Sequence, residues 1–304
     1  MPRILQRDIP RKGLFKRRRV AVVVVPPVEE LDLVGPMQVF GAANRLAGKP
    51  VYTVEIATNS RDLKVAGEGG LLSFLAQRRF PELKGPFDSL LLVCGVATRN
   101  ARDAALFAWL RKMAPEVRRI GSVCGGAFLF AEAGLLDGKR ATAHWKFGEE
   151  LAKRYPRVRV ESNPLWVKDG NIYTSAGISA GIDLALAWVE EDCGAAVAHE
   201  VARELVLFLR RPGGQPQYSV SLAAQASQMK AIQDLQVWIA YVAAVGKEAF
   251  DVEMTLSLVD GKILSGKLDN TVDQVFRKCS EEKLEKCGAS ERHKIKRNIE
   301  IALQ

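Results

Sequence analysis

Short apolar runs alternate with amphipathic segments over the first two thirds of the chain. Residues 20–25 (VAVVVV) form a continuous apolar run that ends at two prolines, as is typical of a buried strand in a parallel sheet. Helical spacing follows over residues 31–48 and again over residues 100–114, where Asn100 is the predicted N-cap. Further strands are predicted at residues 51–58, 87–95 and 119–123. Strands that alternate with helices of this length predict an α/β fold with a parallel, doubly wound sheet flanked by helices.

The pattern continues beyond residue 124 and then changes. Residues 165–176 alternate around Asp169-Gly170, which predicts a β-hairpin, and residues 181–210 predict a helix in two pieces broken near Gly194. Residues 247–304 alternate with period two around Asp260-Gly261 and then become charged. We therefore predict a basic, disordered head at residues 1–19, an α/β domain at residues 20–212, a linker and helix at residues 213–246, and a small β-rich α+β module at residues 247–304.

The net charge of +9 comes mainly from the N-terminal head. Residues 1–19 hold eight basic residues and one acidic residue, whereas residues 247–304 hold eleven of each sign. Such a head could bind nucleic acid or acidic lipid or direct targeting, but a solvated extension is the simplest interpretation. No apolar run reaches the roughly 18–20 residues of a membrane span. Five cysteines are too few for a disulfide framework in a chain of 304 residues, so we expect a cytoplasmic protein without a membrane partner.

Cys124 lies where a predicted strand meets a predicted helix. A sharp turn at such a joint lifts a side chain out of the carboxyl edge of a parallel sheet, where α/β folds place their clefts. Gly125 and Gly126 follow at once and would allow a ligand to approach closely. The helix N-terminus favours the thiolate, and the N–H of Gly125 would point toward a developing oxyanion. An inert, buried cysteine suits the same position equally well.

The remaining residues offer no comparable chemistry. Cys94 and Cys193 are predicted to pack, and Cys279 and Cys287 on one helix would stand about 12 Å apart, too far for a disulfide. Neither a metal-ligand spacing nor a phosphate-binding glycine loop is present in the sequence. We therefore predict neither a cofactor nor a metal.

Several long stretches resemble a known family. The stretch GSVCGGAFLFAEAGLLDGKRATAHW, residues 121–145, resembles the nucleophile elbow of the PfpI superfamily of class I glutamine-amidotransferase-like proteins. VEELDLVGPMQVFGAAN, NPLWVKDGNIYTSAGISAGIDLALAWVEED and VARELVLFLRRPGGQPQYS resemble the ligand-binding half of AraC-type transcriptional regulators that carry such a domain. The resemblance covers about residues 18–240. It implies a flavodoxin-like fold, a homodimer and a small-molecule ligand near Cys124.

The resemblance also implies roles for single residues. Cys124 corresponds to the family's reactive cysteine, and Asp32 to the acidic residue that approaches the thiol from the loop after the first strand. A similar pair carries catalysis in isocyanide hydratase, a relative that converts isonitriles to N-substituted formamides. Two nearby anions resist joint ionisation, so the carboxyl group would stay protonated and donate to the thiolate. His144 corresponds to the family's His-Trp position, and Gly95 to the loop that supplies a second oxyanion donor.

Each implied role has an alternative. Asp32 alone would be interpreted as a helix N-cap, and His144 has no recognisable third partner, which favours a pocket-lining or structural histidine over a catalytic base. Many relatives, the hydratase included, have a threonine after the cysteine, where this chain has Gly125. The missing hydroxyl weakens the prediction of that particular reaction.

The C-terminal sequence departs further from the regulators. They continue with two helix-turn-helix units, whereas residues 247–304 carry no net charge and no basic recognition helix, so we expect no direct DNA binding. Three functions stay open. The favoured one is a sensor of a small amide- or nitrogen-containing ligand. The second is a cysteine-dependent hydro-lyase or hydrolase that uses Cys124 and Asp32, and the third is a binding scaffold with an inert thiol.

Overall fold

The computed structural model describes residues 16–48 and 50–218. Most of the predicted basic head, the helix predicted after the linker, the module at residues 247–304 and its two cysteines lie outside the described residues. The four predicted segments therefore stay predictions. Within the described ranges, no helix combines the length and the apolar character that a membrane crossing requires.

Eleven strands and six helices make up the described domain. The strands are β1 (Arg18–Val25), β2 (Tyr52–Thr58), β3 (Lys64–Ala66), β4 (Ser73–Leu75), β5 (Arg78–Arg79), β6 (Ser89–Cys94), β7 (Arg119–Cys124), β8 (Arg140–Ala141), β9 (Arg159–Val160), β10 (Trp166–Asp169) and β11 (Ile172–Ser175). The helices are α1 (Glu30–Ala47), α2 (Ala104–Met113), α3 (Gly126–Glu132), α4 (Gly148–Arg154), α5 (Ala180–Cys193) and α6 (Ala195–Glu204).

Seven of the strands form one sheet, in the order β10-β11-β7-β6-β1-β2-β5. All neighbours in it are parallel except β10 and β11, which pair as the predicted antiparallel hairpin. One face packs against α1, α5 and α6, and the other against α2, α3 and α4. The mostly parallel sheet with helices on both faces confirms the predicted fold class. The carboxyl ends of β1, β6, β7 and β11 meet at one edge of this sheet.

The apolar run of residues 20–25 is buried because β1 lies between two other strands under helices on both faces. Its side chains are 0–2% exposed, and they alternate between the two cores. Val22 and Val24 face α1 and α5, whereas Ala21 and Val23 face α2 and α3. A continuous apolar run is the pattern that such a central strand requires.

Several local predictions are confirmed and two need correction. Helix α1 ends at Gly48 in the left-handed region, and the long helical stretch breaks at Gly194. Asn100, however, is not an N-cap. Helix α2 starts four residues later, and the side chain of Asp103 accepts the N–H of Leu106 at 2.9 Å. Strands β3, β4, β5, β8 and β9 were not predicted from the sequence, since each has only two or three residues.

Candidate functional site

Cys124 ends β7 in a strained backbone conformation. Its φ is +54°, in the left-handed region that residues other than glycine adopt rarely. Side chains alternate along a strand, so the side chain of Cys124 would be expected on the face of the sheet that carries Ile120 and Cys94. It packs instead in the core on the opposite face. The side chain is 1% exposed. A strained residue of this kind costs about 1–3 kcal/mol and persists only where its surroundings hold it.

Two glycines hold the strained turn because no side chain would fit in their place. A Cβ atom on Gly177 would lie 2.3 Å from the Cβ of Cys124, and the φ of Gly177 is +87°. A Cβ atom on Gly125 would lie 2.2 Å from the carbonyl oxygen of Gly95. The backbone therefore leaves no room at position 125 for the threonine that many relatives have there.

The predicted oxyanion donors differ in what they contact. The N–H of Gly95 donates to the carbonyl of Pro27 at 3.1 Å, so Gly95 itself cannot supply the second donor that the resemblance implied. The backbone N–H of Gly125 lowers the pKa of the Cys124 thiol. Gly126 is the first residue of α3 and is buried, with its Cα packed against the end of β7. The roles of Gly125 and Gly126 as oxyanion donors or ligand-binding residues stay predictions.

Asp32 is fully buried beside the cysteine. Its Oδ1 accepts a hydrogen bond from the backbone N–H of Ile178, and its carboxyl group interacts with the Cys124 thiol. Its Oδ2 has no well-aligned hydrogen-bond partner among the described residues. Burial, reinforced by the charges of Glu29 and Glu68, raises the pKa of Asp32 to about 7. Asp32 is the third residue of α1, whose N-cap position is Glu29, so the N-cap interpretation is wrong.

The thiol of Cys124 is held in its neutral form. Burial raises its pKa well above the ordinary value, and the charge of Asp32 and the neighbouring Cys94 raise it further. The N–H of Gly125 lowers the pKa but does not compensate. The helix N-terminus favours the thiolate by only about 0.3–1 kcal/mol, and burial, which favours the neutral thiol, outweighs this effect.

His144 takes part in a different set of contacts. It begins a 3₁₀ turn before α4, where its Nδ1 accepts the N–H of Lys146 at 3.3 Å and its ring stacks on Trp145. Burial and the charge of Lys146 lower the pKa of His144. Within the part of the chain that the structure describes, His144 forms no hydrogen bond with Cys124 or Asp32. This supports the structural alternative for His144 over the role of a base.

Three glutamates, Glu29, Glu30 and Glu68, surround the same edge of the sheet, and we call them the acidic rim. Glu29 and Glu30 begin α1, whereas Glu68 follows β3, and its Oε1 accepts the N–H of Ala97 at 3.0 Å. Burial and the charges of its two partners in the rim raise the pKa of Glu29. These residues were not predicted from the sequence, because nothing local marks Glu68 as a neighbour of the cysteine.

Residues 205–218, which we call the anchored segment, follow α6 and are held to the domain by hydrogen bonds. Pro216 forms a β-bridge with Pro164, and the side-chain oxygen of Gln217 accepts the N–H of Trp145 at 2.8 Å. The amide nitrogen of Gln217 lies 2.9–3.2 Å from four oxygens, those of Thr142 (Oγ1), Ala143, Ser162 and Pro164. A stretch that the sequence suggested to be a linker is therefore attached to the domain as far as residue 218.

Arg211 connects the anchored segment to the loop that contacts the cysteine. Its guanidinium binds Asp183 at 2.5 Å and the hydroxyl of Ser179 at 2.8 Å. Ser179 directly follows Ile178, whose N–H binds Asp32 and whose φ of 50° is again left-handed. One loop thus contacts the carboxyl group beside Cys124 on one side and the anchored segment on the other.

Residues 18–191 match the DJ-1/PfpI family. The chain belongs to this family.

Two curated relatives differ in how much of their length they share with this DJ-1/PfpI protein. The HTH-type transcriptional regulator CdhR of Pseudomonas aeruginosa is 38% identical over 125 residues, which are 41% of this chain and 37% of the regulator. Isonitrile hydratase of Pseudomonas putida is 29% identical over 223 residues, which are 72% of this chain and 92% of the hydratase. The chain therefore spans little more than a third of the regulator and nearly all of the hydratase.

Solved structures of the DJ-1/PfpI type share the fold. A THiJ/PfpI family protein from Pseudomonas syringae superposes with a TM-score of 0.58 at 24% identity, over 80% of this chain and 93% of its own. An AraC family transcriptional regulator from Pseudomonas putida superposes with a TM-score of 0.54 at 21% identity, over 62% of this chain and 99% of its own. The resemblance predicted from the sequence is confirmed at the level of family and fold.

Proposed function

We propose that this chain is a small-molecule sensor of the transcription-regulator type, which binds its ligand beside Cys124. The observation that carries the proposal is the loop Gly177–Ser179. It contacts Cys124 and Asp32 at one end and Arg211 of the anchored segment at the other. A ligand that displaces the loop would change the anchored segment directly, because Arg211 has its partners on that loop and on α5.

The state of the thiol supports sensing over turnover. A buried cysteine with a raised pKa is a poor nucleophile at neutral pH, since the thiolate is the reactive form. The regulator relatives favour the same function. The sensor function concerns ligand binding, and no residue is assigned to a DNA contact. The homodimer and the cytoplasmic location stay predictions.

The second candidate is a cysteine-dependent hydratase or hydrolase. The similarity to isonitrile hydratase over 92% of its length favours it, together with a carboxyl group whose pKa is raised to about 7 beside a cysteine. In such a reaction the sulfur of Cys124 would add to the isonitrile carbon while Asp32 delivers the proton to that carbon. Water would then add to the thioimidate and the thiol would leave, which gives the N-substituted formamide.

Two measurements on the full chain separate these functions. The first screens small amides and amines by thermal shift and follows hydrogen exchange of peptides from residues 205–218 with each compound that binds. The sensor proposal expects saturable binding that changes exchange in these peptides, and an effect lost in Arg211→Ala. Saturable binding with unchanged exchange in the segment would overturn it. The second measurement follows formation of N-cyclohexylformamide from cyclohexyl isonitrile, and turnover lost in Cys124→Ser would select the enzyme.

A further inference from the structure

Carboxyl groups gather near Asp32, the neighbour of Cys124, without a cation to balance them. Oε1 of Glu30 and Oε2 of Glu68 are buried without a hydrogen-bond partner in the described ranges, and Oδ2 of Asp32 has no well-aligned partner beyond the contact of its carboxyl group with the Cys124 thiol. Within residues 16–48 and 50–218, neither Asp32 nor any member of the acidic rim forms a salt bridge with a lysine or arginine. A buried polar atom left without a partner costs about 1–3 kcal/mol, and more when it is charged.

The backbone is shaped to hold these carboxyl groups in place. A Cβ atom on Gly67 would lie 2.1 Å from Oε1 of Glu30, and one on Gly95 would lie 1.7 Å from Oε2 of Glu68. The second oxygen of Glu68 is fixed by the N–H of Ala97. Both glutamates therefore lie against glycine backbone rather than extending into solvent.

The N-terminus of α1 explains only part of this cluster. Acidic residues in the first turn of a helix are stabilised by its dipole, which accounts for Glu30 and Asp32. It does not account for Glu68, which comes from a different loop and lies close enough to raise the pKa of both Glu29 and Asp32. Like charges gathered from separate elements repel one another, and a positive charge placed among them would relieve that repulsion.

We propose that the acidic rim and Asp32 together bind the positively charged nitrogen of an organic ligand, an ammonium or amidinium group, whose remaining atoms lie at Cys124. This inference rests on the proposed ligand-binding function and names the class of ligand. A metal ion is a poorer fit, because no three ligating side chains in the described part of the chain stand close enough to hold one. An organic cation spreads its charge over several carboxylates and suits the wider spacing.

The charge preference of Cys124 labelling tests this without knowledge of the ligand. Three methanethiosulfonate reagents would be compared on the full chain: a cationic trimethylammonium-ethyl and an anionic sulfonatoethyl reagent of similar size, and a smaller neutral methyl reagent. Mass spectrometry of the Cys124 peptide gives each rate, normalised to the same reagent on free 2-mercaptoethanol. We expect the cationic reagent to be favoured over the anionic one by about tenfold or more at low salt, and less at high salt.

Isosteric variants assign the preference to the rim. Glu30→Gln and Glu68→Gln should each reduce the ratio severalfold, whereas Glu116→Gln, an exposed glutamate before β7, should leave it unchanged. The rate of the neutral reagent shows whether each variant keeps the native accessibility of Cys124. A wild-type ratio equal to that of the free thiol would overturn the inference. So would a cleft that admits none of the three reagents. Ligand binding that persists without charge preference would overturn this inference alone and leave the sensor proposal standing.

Discussion

The backbone of Gly177 lies directly against the side chain of Cys124: a Cβ atom on the glycine would stand 2.3 Å from the Cβ of the cysteine. The loop after β11 therefore closes over the thiol, and the conformations of the loop and of the cysteine depend on each other. Because Ile178 continues the same loop and binds Asp32, three groups of the site are fixed by one short stretch of backbone.

Gly177→Ala should therefore disrupt the site, and Gly194→Ala provides a matched control. The two glycines have nearly the same φ, +87° and +88°, but nothing lies within 4 Å of a Cβ on Gly194. The control should lose about 1–3 kcal/mol of unfolding free energy from backbone strain alone, because its φ of 88° and ψ of 163° lie in a region that only glycine adopts readily. Gly177→Ala should lose clearly more unfolding free energy, because the steric overlap of the new methyl group with Cys124 adds to the backbone strain. Chemical denaturation measures both, and equal losses would show that the contact with Cys124 is readily relaxed.

Asp32→Asn should make Cys124 more reactive. The charge of Asp32 raises the pKa of the thiol, so its removal lowers that pKa and increases the thiolate fraction at pH 8. We expect alkylation by iodoacetamide at Cys124 to become severalfold faster, as followed by mass spectrometry. Slower alkylation would contradict this. It would instead favour the enzyme candidate, in which a protonated Asp32 donates to the thiolate.

Asp32 should also make the stability of the protein depend on pH. The pKa of Asp32 is raised from 3.8 to about 7 in the folded protein, so the folded protein binds this proton more tightly than the unfolded chain. The resulting stabilisation is fully present below pH 3.8 and is lost as the pH rises through 7. The difference corresponds to at most about 4 kcal/mol. Urea denaturation between pH 4 and pH 8 should show wild type losing stability relative to Asp32→Asn. Parallel curves for the two proteins would contradict the prediction.

Arg211→Ala should destabilise the domain more than Arg210→Ala. The side chain of Asp183, which pairs with Arg211, is 4% exposed, whereas that of Glu190, which pairs with Arg210, is 45% exposed. Removing Arg211 leaves a buried carboxylate unpaired and should cost about 2–3 kcal/mol, since Arg211 itself is partly exposed. Loss of the exposed pair should cost less than about 1 kcal/mol. Thermal and chemical denaturation of both variants give the comparison, and equal effects would show that Arg211 does not hold the segment.

Features that depend on neighbouring residues were predictable from the sequence. The apolar run before Cys124 and the glycines after it define a strand–helix joint, and Asp169-Gly170 defines a hairpin, because the causes act within a few residues. The N-cap of α2 shows the limit of this local information. Asn100 and Asp103 are both good caps, and the chain uses Asp103 because residues 96–100 form a 3₁₀ turn.

The site itself depends on contacts between distant residues. Ile178 and Asp32 are 146 positions apart, and Glu68 and Gly95 meet only because their loops end at the same sheet edge. The sequence placed Asp32 near Cys124 through the family resemblance, and it contained no pattern that would bring Glu68 or Arg211 there. The sequence left the pKa of the thiol open, because burial, which raises that pKa, is a property of the folded chain.

The left-handed turn at Cys124 also has a consequence for oxidation chemistry. Cys94 and Cys124 are register partners on adjacent strands, but their side chains lie in the cores on opposite faces of the sheet. Cys193 lies beside Tyr52 and Arg18, at the amino end of the strands. A sulfenic acid formed at Cys124 would therefore find no resolving thiol among the described residues. Its reduction would depend on a thiol from elsewhere, such as glutathione, and without one the oxidation would proceed to the sulfinic acid.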